Sequence, residues 1–291
     1  MWQLQNSRLT QTKVQEIAIE YQDCVAKAPQ CTGNTQTTTI PSTYVTSYFK
    51  NSTSTADAPT WCTTNITNDF GKGLSVNTAV CRLQFYIPDD IGPPVLFYYR
   101  LTNFYQNHRR YVKSLDQEQL AGSFRSNDSI SKSDCDPLKV DENTGKAYYP
   151  CGLIANSLFN DTFNPPVALN AAGENAANTT YYMTNKGIAW NSDKELFKQT
   201  VYTADQVVPP VNWRVQYPEY SSSIPIPNIQ EMEEFHVWMR TAGLPTFSKL
   251  ALRNDTAVMA SGRYQVDIYD CRFHCPNKGM PQRGFTNMIS V

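Results

Sequence analysis

Apolar and polar positions alternate from Arg82 onward, with Leu83, Phe85 and Ile87 on one parity and polar neighbours on the other. Successive side chains of a strand point to opposite faces, so this period predicts a strand with one buried face. D-D-I-G-P-P at 89–94 interrupts the pattern and VLFYYRL at 95–101 resumes it. Two β-favouring runs around a Gly-Pro turn read as strands that the turn could pair. The period then lengthens. Asn103 is followed three residues later by Gln106 in capping-box spacing, and Phe104, His108, Tyr111, Val112 and Leu115 recur at helical intervals until Gly122. A second helix is predicted from Asn228, with Glu231 three residues on. Met232, Phe235, Trp238 and Met239 form its apolar stripe, and Gly243 and Pro245 end it. Between the helices lie Pro-punctuated extended segments at 147–169, 181–190 and 201–227. Strands do not alternate with full-length helices, which argues against a parallel α/β sheet. The predicted class is mainly β with a few short helices (α+β), antiparallel and β-sandwich-like, with long loops.

Residues 32–68 follow neither period: 17 of these 37 positions are Ser or Thr. Such a tract has little to bury and reads as an exposed insert pinned by cysteines. The longest apolar run, Val95 to Tyr99, is sheet-sized, well short of the roughly 18 residues a membrane-spanning helix needs. The opening residues lack the basic-then-apolar order and small-residue cleavage site of a signal peptide, which taken literally predicts a cytosolic chain. Charged residues are 18% and aromatics 12%, the opposite of a disordered composition. A net charge of -1 excludes a chain-wide polycation for nucleic acid.

The cysteines point elsewhere. Cys24, Cys31, Cys62, Cys81, Cys135, Cys151, Cys271 and Cys275 are scattered and even in number, with no C-x-x-C pair. A zinc site usually brings close pairs; only Cys271 and Cys275, flanking His274, come near, so disulfides are the better reading for most of the eight. Acceptor sequons for N-glycosylation stand at Asn51, Asn65, Asn127, Asn160, Asn178 and Asn254. Together these features favour an oxidising lumen or the cell surface.

Candidate chemistry is sparse. The three His residues form no H-E-x-x-H, no serine stands in G-x-S-x-G, and Gly71-Lys72-Gly73 lacks the spacing of a phosphate loop. Asp89-Asp90 and Glu233-Glu234 are adjacent carboxylates, but neighbours diverge on a strand or a helix and cannot converge on one bond. The reading is a non-enzyme with no cofactor and no metal. His108, Arg109, Arg110 and Lys113 form the densest basic cluster. Arginine forks there could meet a phosphate or an acidic partner, yet a solvated helix face is the plainer reading. The Trp238 and Met239 stripe reads as core rather than as a binding groove.

Four segments resemble a known family: FYYRLTNFYQNHRRYVKS at 97–114, YYPCGLIANSLFNDT at 148–162, NKGIAWNSDKELF at 185–197 and WMRTAGLPTFSKL at 238–250. They are similar to the accessory β-subunits of type IV P-type ATPases, the lipid flippases (the cell-division-cycle fifty / ligand-effect-modulator family). The resemblance runs from about Val14 to Tyr269. It implies a glycosylated, antiparallel β-rich ectodomain between two membrane spans, facing the lumen or exterior from the endoplasmic reticulum, Golgi, endosome or plasma membrane. It also implies a chaperone and regulatory role toward the ATPase catalytic subunit, supporting exit from the endoplasmic reticulum and movement of aminophospholipid toward the cytosolic leaflet. Membrane association would come through spans that this sequence does not show.

By the same resemblance Cys135 pairs with Cys151, closing a loop of about 17 residues worth roughly 3 kcal/mol by chain entropy. Cys24 likewise pairs with Cys81, and Cys31 with Cys62 is inferred as a third bridge inside the Thr-rich tract. Asn160 falls on a recurrent glycan position. The expected organisation is a remnant at 1–13, a single ectodomain at 14–269 carrying the 32–68 insert, and a divergent tail at 270–291. That tail, without strand alternation, stands where the last strand and second span would be, so Cys271 and Cys275 carry no structural role in this reading. The alternative is a secreted or lumenal module that binds glycans or lipid head groups through the 108–113 cluster.

Overall fold

A computed structural model of the chain describes residues 14–31, 37–51, 57–69, 75–170, 177–270 and 287–291. The first elements are β1 (Glu16–Glu20), a single turn α1 (Cys24–Lys27), β2 (Thr38–Thr39), β3 (Val45–Tyr48) and β4 (Thr60–Asp69). Two long strands follow, β5 (Ser75–Ile87) and β6 (Val95–Leu101). Next come the short elements α2 (Arg109–Lys113), α3 (Gln117–Leu120), α4 (Asn127–Ser131), β7 (Ala147–Tyr148), α5 (Leu153–Asn156), β8 (Thr162–Phe163) and β9 (Val167–Ala168). They continue with β10 (Thr179–Thr180), α6 (Asn191–Lys194) and β11 (Val207–Val208). The last are α7 (Glu233–Met239), β12 (Phe247–Asn254), β13 (Gly262–Asp270) and β14 (Asn287–Ser290). No helix among the described residues is long and apolar enough to cross a membrane.

Two antiparallel sheets form a sandwich, the first ordered β12-β6-β14-β1-β3 and the second β10-β9-β13-β5-β4-β2, with β8 also on β13. Their inner faces share one buried cluster: Ile17, Ile19 and Phe97 from the first sheet meet Leu83, Phe85, Val266 and Ile268 from the second. The alternation at 83–87 is therefore real burial, since Leu83, Phe85 and Ile87 are fully enclosed. On the outer face of the second sheet Arg82 sits opposite Asp267 and donates to both its carboxylate oxygens at 2.8 Å.

A second region, built from residues of 115–235, has its own cluster of Leu120, Ile130, Tyr149, Phe197, Trp213 and Phe235 with others. Apart from the strands it lends to the second sheet, it carries the short parallel pair β7-β11. A small cluster of Tyr99, Leu101, Tyr111, Ile154 and Trp238 joins it to the sandwich.

Several expectations need correcting. β5 and β6 are consecutive but unpaired: they enter different sheets, so the turn at 89–94 is a crossover between layers. The helix expected from Asn103 is two short ones. Asn103 is left-handed (φ 57), and the chain breaks again at Ser114 before Asp116 caps α3 by accepting from the Gln119 amide. Ser114 leaves the helix with its hydroxyl bonded to the Leu153 amide and the Asp136 carbonyl. α7 starts at Glu233, not Asn228, and the Asn228 side-chain Nδ2 donates to the Glu231 carboxylate instead of that carboxylate reaching back to the backbone. The 147–169 segment contains the helical turn α5.

The Ser/Thr-rich tract is also less exposed than its composition suggests. β4 pairs with β5 from Thr60 to Asp69, and Trp61, Cys62 and Thr63 are buried. Threonine is β-branched and suits a pleated sheet, so low hydropathy there does not prevent strand formation. The tail differs as well: residues 271–286, with Cys271 and Cys275, lie outside the described residues, but 287–290 form β14 between β6 and β1. The 1–13 remnant also lies outside the described residues.

Candidate functional site

The four family-like segments, far apart in sequence, meet around α5 and the neighbouring α7. A helix of four residues satisfies little of its own backbone, so side chains must do so. Gly152 introduces it at φ 96, where a Cβ would overlap the Ser114 carbonyl. That close approach needs glycine and locks the 148–162 segment against the 97–114 segment. Ser114 Oγ accepts from the Leu153 amide and donates to the Asp136 carbonyl, both at 2.8 Å. The indole of Trp238 donates to the Ile154 carbonyl at 2.8 Å and that of Trp213 to the Ala155 carbonyl at 2.9 Å. Buried Gln119 donates to the Tyr148 carbonyl and accepts from the Cys151 amide at 2.8 Å.

Ion pairs and loop bonds join the remaining segments. Glu233 accepts from Lys194 at 2.7 Å and from the Ala189 amide at 3.1 Å. Burial pushes its pKa up, but these bonds outweigh it and hold the carboxyl below its ordinary value. Arg240 pairs with Asp193 at 3.0 Å and lies 4.4 Å over the exposed Trp190 ring. The 102–108 loop is tied to 242–245: the Phe104 amide donates to the Pro245 carbonyl, Asn107 to the Gly243 carbonyl, and the Ala242 amide to Gln106.

Lys249 went unnoticed in the sequence. Only 6% exposed, its ammonium donates to the carbonyls of Val237 (2.8 Å), Trp238 (3.2 Å) and Arg240, capping the C-terminus of α7 where the backbone presents unpaired acceptors. Burial, with the like charge of Arg240, draws its pKa down to about 7. The available signal was a lysine in phase with Phe247 and Ala251 on a strand. Asp141 was missed too. It is buried and accepts from Thr144, Tyr148 and Arg214. Burial alone would raise its pKa, but those partners bring it below the ordinary carboxylate value.

The residues singled out from sequence fall as follows. Cys24 is joined to Cys81, Cys31 to Cys62 and Cys135 to Cys151, with Cα separations of 5.9, 5.1 and 5.6 Å respectively. Asn51, Asn65, Asn127, Asn160 and Asn178 are exposed and Asn254 is half-buried. Asn127 uses both ends of its amide within the fold, donating to the Gly145 carbonyl and accepting from the Ala147 amide; Asn254 does the same with Tyr182, Thr256 and Ala257. Asp89 braces the Lys50 and Asn51 amides and Asp90 that of Ser261, while Glu233 is buried and Glu234 exposed. Neither carboxylate pair converges. Trp238 is core. His236 stacks on Phe197 at 4.5 Å, and burial lowers its pKa. Among the described residues no group of three His, Cys, Asp or Glu side chains could hold a metal ion.

The polar groups gathered here are spent on holding backbone, and what faces outward is surface. Tyr105, Trp190 and Leu244 are exposed on the tied loops. His108, Arg109, Arg110 and Lys113 are also exposed, and they make no ion pair among the described residues. Such a face suits recognition by a partner rather than bond chemistry.

Residues 8–275 match the family described as the LEM3 (ligand-effect modulator 3) family / CDC50 family. This chain belongs to that family. It is 41% identical over 259 residues to the phospholipid-transporting ATPase accessory subunit CDC50 of Chaetomium thermophilum, covering 88% of this chain and 62% of that protein. It is 41% identical over 255 residues to the accessory subunit CRF1 of Saccharomyces cerevisiae, covering 88% of this chain and 60% of that protein. Cell cycle control protein 50A of Bos taurus is 38% identical over 207 residues, 67% of this chain and 55% of that protein. The chain thus spans about three-fifths of the length of the fungal relatives. Within the LEM3/CDC50 chain, all four segments that build the α5 junction lie inside the matched range.

Proposed function

We propose that this chain is the exoplasmic part of a non-catalytic accessory subunit of a phospholipid-transporting type IV P-type ATPase. The observation that carries the reading is the match to phospholipid-transporting ATPase accessory subunits over 88% of the chain, which takes in both the sandwich and the loop-rich region. Three cysteine pairs within bridging distance support a lumenal or extracellular setting, since such bridges persist in oxidising compartments. Residues 14–269 form the ectodomain, with 32–68 as an elaboration of the sandwich, and glycans sit on sequons among Asn51, Asn65, Asn127, Asn160, Asn178 and Asn254. The partner is the ATPase catalytic subunit. The rigid, bridged domain acts by binding some of its conformations more tightly than others, which shifts its cycle by that difference in affinity. The same association supports its exit from the endoplasmic reticulum and aminophospholipid movement toward the cytosolic leaflet. The test is purification of the full-length natural protein in mild detergent: the ATPase is expected to co-elute at a fixed ratio, and its absence would overturn the reading.

A second reading draws on the exposed basic cluster at 108–113: a lumenal module for lipid head groups or acidic glycans. Salt-sensitive binding to anionic vesicles, lost in Arg109→Ala/Arg110→Ala, would favour it. ATPase recovery without vesicle binding favours the first.

A further inference from the structure

We propose that the cleft between the two regions houses the first N-acetylglucosamine of an N-glycan carried on Asn160. This rests on the glycosylation of Asn160 proposed above. The cleft has a volume of about 610 Å³, within the roughly 300–1,000 Å³ of small-molecule sites. One wall comes from the first sheet, with Tyr99 and Leu250–Leu252, and the other from the loop-rich region, with Trp213 and Tyr217. Asn160 is itself a lining residue, so its substituent begins at the cleft instead of having to find it.

The chemistry of the lining selects the occupant. Its floor is aromatic: Phe159 stacks on Tyr99 at 4.1 Å, and Phe163 stacks at 6.1 Å from Phe159. The negative π-face of such rings accepts the polarised C–H face of a pyranose. Exposed Thr184, Asn185 and Gln216 offer hydrogen-bonding groups for hydroxyls and an acetamide. The charged lining residues are Asp161 and Glu234, both acidic, with no Lys, Arg or His among them. Asp161 already accepts from the Tyr21 hydroxyl at 2.9 Å. A phosphate head group would meet carboxylates and no cation, whereas a neutral sugar is tolerated. Covalent attachment supplies the remaining driving force. A tethered group has an effective concentration of about millimolar or above, so contacts too weak to retain a free sugar still hold an attached one. The glycan would then bridge the sandwich and the loop-rich region as well as coat the surface.

The test uses the natural, glycosylated protein. Glycans are released by peptide-N-glycosidase without denaturation, and release at each sequon is followed by glycopeptide mass spectrometry. The expected result is release at Asn160 about tenfold slower in the native protein than after denaturation, as a site shielded nine-tenths of the time requires. In Gln216→Trp, whose exposed side chain can fill the cleft, native release at Asn160 should return to the rate of the other occupied sequons. Tyr217→Ala, which strips one wall, should do the same with the thermal midpoint recorded alongside. Fast native release from an occupied Asn160, or slow release that persists in both variants, overturns the cleft assignment and leaves Asn160 glycosylated. Absence of any glycan at Asn160 overturns the glycosylation itself, and the cleft assignment with it.

Discussion

In the sandwich, β5 pairs with β4 from Thr60 to Asp69 on one side and with β13 from Gly262 to Asp270 on the other, so main-chain groups satisfy one another. In the loop-rich region the helices run four to seven residues and the described strands are two residues long. There side chains take over: Trp213, Trp238 and Tyr220 donate to carbonyls, Gln119 bonds backbone on both sides, and Ser114 and Asn156 accept from amides. The difference has an energetic consequence. A buried backbone group left without its partner costs about 1–3 kcal/mol, so polar substitutions should hurt the loop-rich region more than the sandwich. Apolar truncations should do the reverse.

The largest effect expected in the loop-rich region is on the Cys135–Cys151 bridge, which closes a 16-residue separation there. Replacing both cysteines by alanine should cost about 3 kcal/mol by chain entropy. Hydrogen exchange should show the loss in 115–235, with β5 and β13 still protected. Equal loss in both would break the two-region comparison. Gly152→Ala comes next, on the order of 2–3 kcal/mol, because the new Cβ meets the Ser114 backbone at a positive φ; a urea melt reads it. Gln119→Leu should cost about 2 kcal/mol by leaving the Cys151 amide and Tyr148 carbonyl without their side-chain partner.

Acid should act on the same region. The Asp141 pKa is lower in the fold than in the unfolded chain, so its ionisation adds stability above the ordinary carboxylate pKa of about 4. That stability is lost as pH falls through the lower folded value. Asp141→Asn should therefore weaken the protein at pH 7, with the gap from the parent narrowing below about pH 4, read by Trp fluorescence. The smallest effect sharpens the other side of the comparison. Arg82→Gln removes a partly exposed cross-strand pair on the sandwich, and the thermal midpoint should move by no more than about 1 kcal/mol equivalent. A larger shift would show that the sandwich too depends on polar side chains.

How legible each region was follows from these means of satisfaction. Strand alternation at 83–87 is a local period, and the buried face it marks is the one observed. The helical intervals from Asn103 were genuine too, but Ser114 is drawn out of the helix by Leu153 and Asp136, partners that no local pattern announces. Composition misled at Trp61 to Thr63, where threonine lowers hydropathy while favouring the strand that β5 pairs with. At the α5 junction the four motifs were visible as resemblances, whereas the reason for Gly152 became readable only with Ser114 beside it. Lys249 gave a faint signal, a charge on an inward parity.

The sequence by itself determined the strands at 83–87 and 95–101, the buried face of the first and, through the motifs, the family. These depend on period and residue type, which are local properties of the chain. Only the tertiary structure decided that β5 and β6 part into different sheets, that β14 lies between β6 and β1, and that Lys249 caps α7. It also decided that Asn160 stands on a cleft between the two regions. Each of these depends on groups distant in sequence, and the energy that selects a pairing exists only once both partners have been brought out of water together.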